Sequence, residues 1–203
     1  MISLWKSAAK QFCWERGGFG LIAPSYNGLV PFIIRDFQAS DFDTLWNIDQ
    51  TCFPAGISYS RAELRLYMRR RASFTLVAAN QESGESNGSP SAAKRDKGLP
   101  GAGLLDAAVA GFIITEAGAR ARGHIITIDV IPSARRAGVG SLLLRAAEDR
   151  LISVECRSVE LETAVDNFSA IAFYKRHGFS VIKTFPRYYS NGVDALVLEK
   201  TLV

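Results

Sequence analysis

Metal ligands are scarce in this sequence. It holds three cysteines, Cys13, Cys52 and Cys156, and two histidines, His124 and His177. No two cysteines form a Cys-x-x-Cys pair, and no cysteine clusters with a histidine. That spacing indicates neither a zinc site nor a disulfide framework, so no metal is expected, and a reducing, cytoplasmic setting fits. Long apolar runs are missing too. No stretch is long enough to span a bilayer, so no membrane association is expected. The first residues lack the apolar core of a secretion signal, because Lys6, Lys10, Glu15 and Arg16 interrupt them. Excess charge is small: 24 Lys and Arg against 20 Asp and Glu, a net of +4. No dense basic run with interleaved aromatics occurs, so no nucleic-acid partner is indicated.

What is present is the composition of an ordinary folded enzyme-sized domain. The chain has 203 residues, 48% of them hydrophobic, enough for one sizeable core. Residues 1–31 show no clear period and are broken by Gly17, Gly18, Gly20, Pro24, Gly28 and Pro31, so they read as an N-terminal extension. The domain proper spans 32–203, opening on a short strand at Phe32-Ile33-Ile34-Arg35. Ser40 or Asp41 is placed to cap a helix through Leu45 and Ile48. Ser60 caps a second, with Glu63 at the capping-box position. That second helix carries Arg61, Arg65 and Arg69 as a stripe, either a solvated face or a guide for an acidic ligand. Residues 80–103 turn to Gly, Ser, Asn and Pro and read as a flexible inserted loop between two strands, Ser73–Ala79 and Ala107–Thr115. Strands interspersed with helices give an α/β class with a mixed sheet.

The richest segment is 125–144. A β-branched run from Ile125 to Ile131 reads as a buried strand, Pro132 and Ser133 break it, and a helical pattern starts after Gly138-Val139-Gly140. Strand, glycine-bearing turn and helix start aim backbone N–H groups at one point, which suits a diphosphate. A P-loop would need a lysine before its Ser/Thr, but Ser141 follows Gly140 directly. A dinucleotide turn would need a third glycine where Leu143 stands. A turn with no ligand also satisfies the pattern. Downstream, Glu160 and Glu162 share one face of a strand from Val159 to Val165. Glu160 is expected to be solvated. His124, at a strand start, is expected on the surface; like Asp129, it carries a side chain able to take up a proton.

These motifs resemble the GNAT superfamily of N-acetyltransferases. Arg135, Gly138 and Gly140 match its Arg/Gln-x-x-Gly-x-Gly/Ala loop. Leu161-Glu162, Asp166-Asn167, Tyr174 with Gly178-Phe179, Tyr188-Tyr189 and Asp194-Ala195 are similar to the RimI-type ribosomal-protein-alanine branch. The resemblance implies the GNAT fold: a mixed, mostly antiparallel sheet flanked by helices, with a V-shaped split between the two central strands. It implies acetyl-CoA as co-substrate. The backbone of Ile128, Asp129 and Val130 would pair with its pantetheine arm. Arg135, Arg136, Ala137, Gly138, Val139, Gly140 and Ser141 would hold its diphosphate, and Asn167 would contact it. Glu162 would be general base and Tyr174 general acid, with Tyr188 and Tyr189 lining a peptide slot. The acceptor would be the N-terminal amine of a protein or peptide, with a lysine or small-molecule amine, or a non-catalytic acyl-CoA-binding module, as alternatives. A monomer or homodimer is expected. The chain departs from the branch at Thr163-Ala164, where Val-Arg is usual, at Arg187, where Asn is usual, and at Gly56-Ile57, where a tryptophan is missing.

Overall fold

The computed structural model describes residues 32–53, 57–80, 109–189 and 191–203. The extension 1–31 and positions 81–103 of the inserted loop lie outside the described residues. Seven strands form one sheet in the order β1-β2-β3-β4-β5-β7-β6. The strands are β1 (Phe32–Asp36), β2 (Ser73–Asn80), β3 (Val109–Ala117), β4 (Arg122–Val130), β5 (Ser158–Ala164), β6 (Ser180–Phe185) and β7 (Ala195–Thr201). Every neighbouring pair is antiparallel except β4 and β5, which are parallel. Helices α1 (Phe42–Cys52) and α2 (Arg61–Met68) cover one face, around Leu45, Ile48, Leu64 and Phe112. Helices α3 (Val139–Ser153) and α4 (Phe168–Arg176) cover the other, around Leu143, Leu144, Leu151 and Leu161. This is the mixed, mostly antiparallel sheet flanked by helices that the motifs implied.

Local chemistry sets the element ends. Ser60 Oγ accepts from the Glu63 N–H while the Glu63 carboxylate accepts from the Ser60 N–H at 2.9 Å, so the capping box forms as read. Asp41 occupies the N-cap position of α1, but its carboxylate does not cap the helix. It is taken instead by the Arg35 guanidinium, at 2.7 and 2.8 Å, and by the Gln38 N–H at 2.7 Å. Burial pushes the Asp41 carboxyl up, but the Arg35 hydrogen bond, the Gln38 N–H and the Arg35 charge together hold it below its ordinary value. A depressed carboxylate contributes stability above its unfolded value of about 3.9 and loses it as pH falls through the folded one. Asp41→Asn is therefore expected to flatten the acid limb of Tm against pH below about pH 4, read by thermal melts.

The arginine stripe on α2 is an exposed face, and two of its members also lie over rings of α1. Arg61 lies over the Trp46 ring at 4.3 Å and pairs with Asp43, and Arg65 lies over Phe42 at 4.3 Å. Arg70 reaches Glu116 at 2.9 Å. The guanidinium planes thus staple α2 to α1 and to the sheet, a use that depends on their stacking ability as well as their charge.

The centre of the sheet is irregular. β4 carries one more residue than β3 opposite Ile114/Thr115, so Ile126 is the extra residue of a bulge. Gly111 faces Val130 across the same pair, and a Cβ there would stand 2.4 Å from the Asp129 carbonyl oxygen. Gly111→Ala is expected to push β3 off β4 and to cost about 1–3 kcal/mol, measured as a drop in denaturation midpoint.

Candidate active site

β4 and β5 pair only through Arg122–His124 and Ser158–Glu160. Beyond that vertex the strands diverge, β4 running on to Val130 and β5 to Ala164. The β5-facing edge of β4 beyond His124 therefore offers backbone N–H and C=O groups to a ligand instead of a strand. At the far end of β4 the chain passes through Arg135–Gly138 into α3. Gly138 is the N-cap of α3 with φ +86° and no side chain caps the helix. The left-handed glycine turns the chain straight into helix, so α3 begins at Val139, two residues earlier than the periodicity predicts. The first N–H groups of a helix have no acceptor within it, and here an exposed turn presents them.

Two ionisable side chains meet at the vertex. His124 Nε2 lies 2.7 Å from Glu162 Oε2, with side-chain exposures of 12% and 5%. A carboxylate accepts, so Nε2 donates and the imidazole holds the Glu162 charge in place. Just beyond, Glu162 and Tyr174 line one small cavity of about 20 Å³, together with Phe53, Ile128, Leu161 and Thr163. Burial raises the Tyr174 hydroxyl well above the ordinary tyrosine value, and the Asp129 carboxylate adds to that. Tyr174 therefore stays protonated over any working pH. Asp129 itself is fully buried and accepts from Thr127 Oγ1 at 2.7 Å.

Asn167 stands at the start of α4. Its Oδ1 accepts from the Ala170 N–H at 3.2 Å and caps α4. Its Nδ2 is buried and has no hydrogen-bond partner among the described residues. A buried donor left over after the cap of α4 is made is what a carbonyl-bearing ligand would satisfy.

The chain matches the Acetyltransferase (GNAT) family over residues 42–179. That is more than half of its length. The protein belongs to the GNAT family. Within it, the chain is similar to N-alpha-acetyltransferase 30 of Dictyostelium discoideum, 40% identical over 38% of this chain and 42% of the relative. An N-alpha-acetyltransferase of Sulfurisphaera tokodaii is 37% identical over 40% of this chain and 49% of that protein. The matches thus span less than half of the length of these two relatives. The solved structure of Ard1 from Thermoplasma volcanium superposes with a TM-score of 0.66 at 25% identity, covering 85% of this chain and 99% of that one. The ribosomal-protein-S18-alanine N-acetyltransferase of Escherichia coli shares the fold, with a TM-score of 0.64 at 19% identity over 84% of this chain and 94% of that one.

In GNAT terms, the two candidate catalytic residues, Glu162 and Tyr174, are brought to one cavity, and Asn167, with its spare donor, caps α4 close by in the chain. Arg136, Ala137 and Gly138 are exposed on the turn, Val139 is buried, and Gly140 and Ser141 are half-buried. Arg135 turns inward instead. Its Nε donates to the Val130 carbonyl at 3.0 Å and its second guanidinium nitrogen approaches Cys52 Sγ at 3.7 Å, so it braces the turn from beneath. Tyr188 stacks on Phe185 at 5.8 Å and meets Tyr189 edge-on at 5.4 Å. Burial, with the Glu162 charge and Tyr67 nearby, pushes the Tyr188 hydroxyl up to about 12. The loop carrying both tyrosines is clamped where the Asp194 carboxylate accepts from the Arg187 N–H at 2.7 Å.

Two expectations are corrected. His124 is no surface residue but the partner of Glu162. Glu160 is not merely solvated: it accepts from Arg122 at 3.1 Å on a central strand, with 15% of its side chain exposed. In both cases the cause is register. His124 sits opposite Glu160 across the parallel pair, which places Glu162 diagonally ahead of it.

Proposed function

We propose that the protein is an acetyl-CoA-dependent N-acetyltransferase whose acceptor is the N-terminal α-amine of a protein or peptide. The observation that carries this is the convergence of the His124–Glu162 pair and Tyr174 on the open β4–β5 split, with the uncapped start of α3 at the end of β4. When bound, acetyl-CoA supplies an activated thioester. The N–H groups from Arg136 to Ser141 suit its diphosphate, the edge at Ile128–Val130 its pantetheine amides, and the Asn167 Nδ2 a carbonyl of the same arm. Glu162 takes the proton that the attacking ammonium must lose, with His124 fixing its orientation. Tyr174 offers its O–H to the departing sulfur. Tyr188 and Tyr189 wall the acceptor side, close to Glu162.

An α-amine with a value of about 7.7–8.0 is partly neutral at pH 7, whereas a lysine near 10.4 is almost wholly charged. A carboxylate base therefore suits the α-amine. Similarity to N-alpha-acetyltransferases supports the same acceptor. The test is a peptide panel followed by CoA release. Peptides with free N-termini should turn over, and the same peptides N-blocked but carrying lysine should not. Equal turnover of both would sink the α-amine reading.

A cysteine acyl-enzyme is not part of this scheme. Burial, with the Asp129 charge, pushes the Cys52 thiol up to about 12, while Arg135 pulls the other way. A thiol held so high is a poor nucleophile at neutral pH. Cys52→Ala is expected to keep turnover within about threefold of wild type, and intact-mass spectra during turnover should show no acetylated enzyme.

A further inference from the structure

The end of α4 is docked on the start of α3 through His177. His177 Nδ1 lies 2.8 Å from the Phe173 carbonyl oxygen, and its Nε2 lies 2.9 Å from Ser141 Oγ. A carbonyl oxygen accepts only, so Nδ1 carries the proton and donates. The imidazole also lies against the Phe173 ring, with centroids 4.4 Å apart. That ring in turn stands 3.5 Å from where a Cβ on Gly140 would be. The imidazole is thus held by its face, by Nδ1 and by Nε2, and among the described residues its polar contact off its own helix is a hydroxyl of the proposed diphosphate cradle. The acetyl-transfer scheme leaves this histidine unused.

We propose that His177 is a positioning residue for the diphosphate-bearing cofactor, acting through the Ser141 hydroxyl. Ser141 lies in the first turn of α3, beside the N–H groups that no helical carbonyl satisfies. A hydroxyl rotates unless something fixes it. With its proton on Nδ1, the neutral ring accepts the Ser141 O–H at Nε2, which ties the Ser141 side chain down and holds the first turn of α3 so that its free N–H groups, that of Ser141 among them, stay aimed at the phosphate oxygens. The same contact locks the last turn of α4 against the cradle. The proposal rests on reading Arg136–Ser141 as that cradle.

The experiment measures CoA affinity by calorimetry, and kcat/KM with S-acetylpantetheine, a donor lacking the diphosphate. His177→Ala and Ser141→Ala should each weaken CoA about three- to tenfold, the range of one hydrogen bond, and leave S-acetylpantetheine unchanged. The double variant should bind CoA no more weakly than either single one, because the two act as a unit. His177→Gln, which keeps a polar group toward Ser141, should recover most of the affinity. Losses that add in the double variant, or equal losses with both donors, would overturn the proposal. Ala137→Asp separates the cradle reading: a carboxylate on that exposed turn should repel CoA strongly. If CoA affinity survives Ala137→Asp, it is the cradle that is wrong. If it collapses there but is untouched by His177→Ala, the positioning role alone fails.

Discussion

Replacing Glu162 by glutamine is expected to lower kcat by about 10²–10⁴-fold, the usual range for losing a positioned base. The substitution is nearly isosteric. A glutamine carbonyl can still accept from His124 Nε2, so the 2.7 Å contact at the vertex survives in kind. What disappears is the ability to hold a proton taken from the acceptor ammonium. Thermal stability should change little, and so should the KM for acetyl-CoA, because the groups proposed to bind it lie elsewhere on β4, α3 and α4. His124→Ala should hurt activity too, but it leaves a buried carboxylate without its partner and so should also lower Tm, a cost Glu162→Gln avoids. Full turnover in Glu162→Gln would move the base elsewhere. Asp129 would be next in line, though it is wholly buried and already accepts from Thr127.

Most of the fold was legible because its signals are local. The capping box at Ser60 and Glu63, the left-handed glycine at 138 and the period-2 pattern of β5 act within a few residues of themselves. Asp41 takes the N-cap position, but its carboxylate goes to Arg35, which arrives from the strand before and offers a bidentate, charge-assisted partner in place of a helix N–H. The arginine stripe hid its role for a similar reason: Trp46 and Phe42 lie on another helix. In the site, Glu162, Asn167 and Tyr174 stand in short motifs. His124 and Arg135 do not show their roles that way. The first depends on the register of a parallel pair three residues long, and the second on a turn that folds it back onto the Val130 carbonyl and against Cys52, 83 positions away in the chain. A residue's chemistry reads from sequence when its partner is near in the chain, and must otherwise wait for the fold.

Tyr174→Phe should lower kcat by about 10²-fold, at the lower end of the range for an acid–base group, with the KM for acetyl-CoA unchanged. The ring keeps its edge-on contacts with Phe173 at 5.2 Å and Phe179 at 5.3 Å, so packing should survive the loss of the hydroxyl. The size of the loss follows from how strongly Tyr174 is held protonated. Burial and the Asp129 charge raise its value far above that of an ordinary thiol, near 8.5. Complete proton transfer from this tyrosine to a departing thiolate would therefore run uphill. Tyr174 is better placed to donate a strong hydrogen bond while charge builds on sulfur, leaving solvent to protonate the thiolate afterwards. The two modes differ in pH dependence. A tyrosine acting as a titrating acid would impose an alkaline fall in activity that disappears in phenylalanine. A hydroxyl that never ionises imposes none, so the ratio of wild-type to Tyr174→Phe turnover should stay constant between about pH 6 and pH 9. A ratio that narrows toward pH 9 would show that Tyr174 does titrate there and would restore the full proton-transfer role.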